Sequence, residues 1–188
     1  MLAGVASIEE IVAHARQLQL PALALTDANA LYGAIEFAQR CRAAQVQPIL
    51  GVDFTFEANH ALTLLAQNMT GYANLCRLVT RLQAAADRDG ALASGLSLTD
   101  LADHTAGLIA LSDGQHAASL VDLFPPDRFF FALAGAADDV ERITLADQLG
   151  VQVVAAPDIR YLAAADAPRF RVLTAMRIGQ RLDSLPDL

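Results

Sequence analysis

Leu20-Pro-Ala-Leu-Ala-Leu-Thr-Asp27, then Leu31-Tyr-Gly-Ala-Ile-Glu-Phe37, then Pro48-Ile-Leu-Gly-Val-Asp53, is the stretch that decides the fold class. Ala22 to Thr26 is a short apolar run that stops at Asp27, the pattern of a strand covered on both faces. A helix precedes it. Ser7 and Glu10 have capping-box spacing, Ile8, Ile11, Val12, Ala15 and Leu18 recur at helical intervals, and Pro21 ends the repeat. Tyr32 to Ala44 predicts a second helix, with Ile35, Ala38 and Cys41 on its inner stripe, and Pro48 to Phe56 a second strand. Strand, helix and strand in this order make a βαβ unit.

The alternation continues outward. Ala61 to Ala66 is a third strand, and Gly71 opens a helix with Tyr72, Leu75, Cys76, Val79 and Leu82 facing inward. Arg88 to Leu96 reads as a loop rich in Gly, Ala and Ser, and a short helix starts near Ser97 or Thr99. Gly107 to Leu111, Phe129 to Leu133 and Val151 to Ala155 are further strands. Between the last two, Val140, Ile143, Ala146 and Leu149 mark a helix closed by Gly150. Asp166 caps a final helix with Pro168 in its first turn and Leu173 and Met176 facing inward. The expectation is an α/β fold with about six strands in a largely parallel sheet. Periodicity leaves open a barrel or an open doubly wound sheet. Neither a GxGxxG nor a P-loop is present, which removes the main support for a nucleotide-binding fold.

Composition narrows the function. The 188 residues suit one domain, 1–188, and 54% are hydrophobic, enough for a large core. Lys and Arg number 13 against 21 Asp and Glu, a net charge of −8 that repels phosphate backbones, so this chain alone is not expected to bind nucleic acid. Cys41 and Cys76 fall at apolar helical positions and read as small core residues. With no signal-peptide pattern at Met1 to Leu20 and no membrane-length apolar run, the expected location is the cytoplasm.

In α/β folds of this kind the working residues gather at the C-terminal ends of strands. Asp27, Asp53, Ser112 and Asp158 hold such places, and His60 lies at the start of a strand. Three carboxylates and a histidine on one rim could hold a divalent ion and activate water. The competing reading is structural: an Asp just past a strand is a helix cap or turn residue. Ser112, followed by Asp113 and Gly114, lacks a nucleophile elbow and reads as a turn residue.

The opening stretch resembles the PHP domain (polymerase and histidinol phosphatase) of bacterial DNA polymerase III alpha subunits. The similarity continues through His60-Ala-Leu-Thr-Leu-Leu-Ala66, Gly71-Tyr-Ala-Asn-Leu-Cys-Arg-Leu-Val79 and Gly107-Leu-Ile-Ala-Leu-Ser112. It runs on in Val153-Val-Ala-Ala-Pro-Asp-Ile-Arg-Tyr-Leu162 and closes at Val172-Leu-Thr-Ala-Met-Arg-Ile-Gly179 and Arg181-Leu-Asp183. Each block is weak alone, and their order along nearly the whole chain makes the match specific. The resemblance implies a distorted (β/α)7-type, TIM-like barrel, incomplete at its N-terminal strand, with the C-terminal end near where a polymerase palm begins.

Intact members of the resembled family bind metal ions through histidines, acids and a cysteine. Here a His-x-His strand would precede Met1, Asp27-Ala28-Asn29 stands where Asp-His-Gly is usual, and Asp53 stands where Glu is usual. No cysteine follows Ser112, and the late Asp-x-His is Asp158-Ile159-Arg160. Arginine cannot ligate a metal, and Arg160 can instead pair with a neighbouring carboxylate. The resemblance therefore implies a vestigial site of Asp27, Asp53, His60 and Asp158, no stoichiometric cofactor, and at most one weakly held zinc, manganese or magnesium ion.

Three functions follow from this. The first is an inactive scaffold within a polymerase alpha subunit, partnered by the rest of that subunit and by a proofreading exonuclease. The second is a metal-dependent phosphoesterase or proofreading exonuclease, which needs ligands that are missing. The third is a free-standing interaction module. The absent strand also predicts an open seam between Ala22–Thr26 and Val151–Ala155, covered by a terminal segment or by a second copy in a homodimer.

Overall fold

The computed structural model describes residues 4–57, 60–85, 95–157 and 159–185. Six strands form one sheet in the order β1-β2-β3-β4-β5-β6, curled into a half-barrel. They are β1 (Ala22–Ala28), β2 (Gln47–Phe56), β3 (His60–Ala66), β4 (Leu108–Ser112), β5 (Phe129–Leu133) and β6 (Gln152–Ala155). The helices are α1 (Ile8–Gln17), α2 (Ala34–Ala43), α3 (Met69–Ala84), α4 (Leu98–Ala102), α5 (Ala117–Leu123), α6 (Asp139–Leu149) and α7 (Ala167–Ile178).

The capping box at α1 forms as expected: the Ser7 hydroxyl accepts the Glu10 N–H, and Glu10 Oε2 accepts the Ser7 N–H at 2.8 Å. α3 begins two residues before Gly71, because Asn68 Oδ1 accepts the Gly71 N–H at 3.1 Å and caps the helix. Gly150 ends α6 in the left-handed conformation with φ 67°. The loop expected at Arg88 to Leu96 lies mostly outside the described residues; Leu96 itself is buried and bridges to Phe56.

One strand departs from the largely parallel arrangement. β3 runs antiparallel to both β2 and β4, while β1–β2, β4–β5 and β5–β6 are parallel. The chain reverses directly from Phe56 to His60, too short for the crossover helix that a parallel pair requires. All strands except β3 thus point one way. Their C-terminal ends share a rim with the N-terminal start of β3.

The main core joins Val52, Phe54 and Phe56 of β2 to Leu62, Leu64, Leu108, Phe129 and Phe131, with Leu75, Leu78 and Leu82 of α3 packed on it. A second cluster holds Ile8, Val12, Phe37, Cys41 and Val46 against Leu23, Leu25 and Leu50. Some inward assignments change. On α2 the buried residues are Ala34, Phe37 and Cys41, whereas Ile35 is 63% exposed. The large Phe37 ring takes the inner stripe and turns Ile35 outward. On α3, Tyr72, Cys76 and Val79 are only half-buried. On α7, Leu173 and Met176 face solvent, at 46% and 74% exposure, and only Ala175 is buried.

The sheet is open. β1 and β6 are its two edges, and all four residues of β6 are exposed. The Val5 N–H, before α1, donates to the Arg160 carbonyl at 2.9 Å. The N-terminal segment thereby meets the segment after β6.

Candidate functional site

The rim formed by the ends of β1 and β2 and the start of β3 brings Asp27, Asp53 and His60 to one end of the sheet. β1 passes through Asp27 and ends at Ala28, so Asp27 lies within the strand. It is buried at 6% exposure, and its Oδ2 accepts the Gly33 N–H at 3.3 Å, at the start of α2. This bond ties β1 to Gly33, the residue just before α2.

Asp53 lies inside β2, between strands that both carry threonine. Thr26 Oγ1 donates to Asp53 Oδ2 at 3.0 Å, and Thr63 Oγ1 donates to Asp53 Oδ1 at 2.6 Å. Each carboxylate oxygen therefore accepts a hydroxyl proton from a different neighbouring strand. A carboxylate so engaged has fewer lone pairs to offer a cation.

Asn29 is a site residue that the sequence reading did not single out. It adopts the left-handed conformation, φ 53°, which Asn tolerates better than most residues. Its Oδ1 accepts the Thr55 N–H at 2.8 Å, and its Nδ2 donates to Thr55 Oγ1 at 2.9 Å. Its backbone N–H donates to the Asp53 carbonyl at 3.0 Å, and Gln83 Nε2 donates to its own carbonyl at 3.1 Å. One residue thus ties the end of β1 to β2 and α3. The Asp27-Ala28-Asn29 stretch was the available signal, since Asn favours this backbone region.

His60 meets the rim because β3 is antiparallel. Its ring packs edge-on against His116, with centroids 5.2 Å apart, and His116 in turn contacts Phe56 at 5.7 Å. Ser112 is buried at the end of β4; its Oγ accepts the Gly114 N–H at 3.1 Å and donates to the Gln115 carbonyl at 3.4 Å, the turn role expected of it. Asp158 lies outside the described residues. Arg160 is half-buried just past β6.

The described rim carboxylates are engaged by the protein itself. Among the described residues, no three His, Cys, Asp or Glu side chains converge on one point. Zinc and manganese sites draw on imidazole and carboxylate groups aimed together. Here Asp27 and Asp53 accept protein hydrogens, and Ala28 offers no ligand atom.

A model of the PHP domain matches residues 1–155. DNA polymerase III subunit alpha of Bacillus subtilis is 28% identical, with 100% of this chain and 19% of that protein aligned. The same subunit of Escherichia coli K12 is 32% identical over 97% of this chain and 18% of its own length. The error-prone DNA polymerase of Pseudomonas aeruginosa is 34% identical over 93% and 18%. The chain thus spans about a fifth of the length of the curated relatives it matches.

Two solved structures share the fold at 12% identity. An amidohydrolase from Chromobacterium violaceum gives a TM-score of 0.63, covering 84% of this chain and 83% of that one. A candidate metal-dependent phosphoesterase from Bifidobacterium adolescentis gives 0.52, covering 85% and 84%. Among the described residues, no helix is long and apolar enough to cross a membrane.

Proposed function

This chain belongs to the PHP domain family, and from that premise we propose that it is the PHP domain of a bacterial C-family DNA polymerase, acting as a catalytically inactive scaffold or docking domain. The observation that carries this reading is the extent of the similarity. Alpha subunits and an error-prone polymerase match from 93% to 100% of the chain, beyond the stretch that the PHP model alone covers.

The inactive part of the proposal rests on the rim. Two threonine hydroxyls donate to the Asp53 carboxylate, and Asp27 accepts the Gly33 N–H. Ala28 and Arg160 stand where the resemblance expects histidines, and a fixed guanidinium charge opposes a cation. Without a bound ion, no group at the rim lowers the pKa of water for attack on a phosphoester. The partners in this reading are the rest of the polymerase subunit and a proofreading exonuclease, in the cytoplasm.

Elemental analysis of the dialysed chain, with assays on a phosphomonoester and on single-stranded DNA ends, tests the inactive state. The expected result is far less than one zinc or manganese ion per chain and no turnover. One ion or more per chain, or turnover that disappears in Asp27→Ala, would overturn it. Sequencing the reading frame on both sides of this stretch tests the polymerase assignment separately.

A further inference from the structure

An open cavity away from the rim is lined from two elements. Cys76, Arg77, Thr80 and Arg81 of α3 line one side, His104 just past α4 lines the other, and its volume is about 470 Å³. Arg77 and Arg81 are one helical turn apart and so share a face.

Of the two guanidiniums, only that of Arg81 is paired with a carboxylate among the described residues. Arg77 Nη1 donates to the neutral Asn74 Oδ1 at 2.8 Å and has no carboxylate partner among the described residues. Arg81 reaches Asp100 Oδ1 at 3.4 Å, with both side chains well exposed. The other Asp100 oxygen serves the cap of α4, accepting the Ser97 hydroxyl at 2.7 Å and the Ser97 N–H at 3.4 Å. Thr80 donates its hydroxyl proton to the Cys76 carbonyl at 2.8 Å. His104 Nδ1 lies 2.9 Å from the Asp100 carbonyl. A carbonyl only accepts, so Nδ1 carries the proton and Nε2 is the ring atom left for a ligand.

We propose that this cavity binds a phosphorylated small molecule, with its phosphate seated between Arg77 and Arg81. The arginine fork matches the spacing of phosphate oxygens, and charge-assisted bonds of this kind are the strong ones. The open volume has room for more than a phosphate group alone. The rest of the ligand would lie along Cys76 and the aliphatic stems of the arginines. A nucleic acid is a poorer fit, because the net charge of −8 repels the phosphates flanking the seated one.

The two cysteines provide the assay. Cys76 lines the cavity and is partly accessible, whereas Cys41 is fully buried. The intact chain is alkylated with iodoacetamide while inorganic phosphate replaces chloride at constant ionic strength. Saturable protection of Cys76 is expected, and Arg77→Gln or Arg81→Gln should raise the half-protecting phosphate concentration about tenfold. Cys41 that stays unmodified shows that a variant is folded. Equal protection by chloride, or wild-type protection in both folded variants, would overturn the proposal. If a variant exposes Cys41, the phosphorus NMR line width of phosphate with the unaltered chain decides instead. Broadening that glycerol phosphate displaces supports the site, and no broadening overturns it.

Discussion

Thr63 and Asp53 face each other across the antiparallel β2–β3 pair, and the Thr63 hydroxyl donates to Asp53 Oδ1 at 2.6 Å. Thr26 supplies the other oxygen from β1 at 3.0 Å. The carboxylate is thereby a tie across three strands.

Thr63→Val removes one of these donors and leaves the methyl volume. The variant is expected to lose about 1 kcal/mol of stability, because a partly buried acceptor is left short of a partner. Thr63→Ser keeps the hydroxyl and should stay within about 0.5 kcal/mol of wild type. Urea unfolding of the three proteins measures both. A Thr63→Val protein as stable as Thr63→Ser would remove the tie from the account.

Gly71→Ala should destabilise, although the same change in an exposed helix interior ordinarily stabilises by about 1 kcal/mol. A Cβ at Gly71 would sit 1.9 Å from the Gly107 carbonyl oxygen, which is backbone and has no flexible end to move. The expected loss is about 3 kcal/mol, as for overpacking against rigid surroundings. Thermal unfolding followed by circular dichroism reads the sign directly.

The cap of α4 should carry a pH dependence. The Ser97 hydroxyl, then the Ser97 N–H and Arg81, hold the Asp100 carboxyl below its ordinary value of 3.8. A depressed folded-state pKa stabilises above the unfolded value and ceases to do so as pH falls through the folded one. Asp100→Asn should therefore cost stability at pH 7, with the gap to wild type closing below about pH 3.8. Ser97→Ala should cost about 1 kcal/mol at pH 7. Denaturant titrations at pH 7 and pH 3 check the pair, and a gap that widens in acid contradicts the assignment.

The open sheet edges predict self-association. Val153 of the edge strand β6 is 43% exposed, and an apolar edge invites pairing with another chain. Sedimentation equilibrium should show a dimer that dissociates on dilution, and Val153→Lys should shift it to monomer. A wild-type chain that stays monomeric at every concentration would refute edge pairing.

The sequence alone determined most of the secondary structure and the family. The Ser7–Glu10 capping box, the apolar run from Ala22 and the helical repeats are local signals, set by neighbours a few residues apart. It also showed Ala28 and Arg160 at positions where the resemblance expects histidines. The direction of β3 was decided only in the tertiary structure, and that reversal carries His60 to the same rim as Asp27 and Asp53. The threonine partners of Asp53 come from positions 27 residues before it and 10 after it, and only sheet register brings them together. Which face of α2 turns inward likewise depends on what the sheet can accommodate. Phe37 fills that space and Ile35 does not, and one helix read by itself cannot distinguish two apolar stripes.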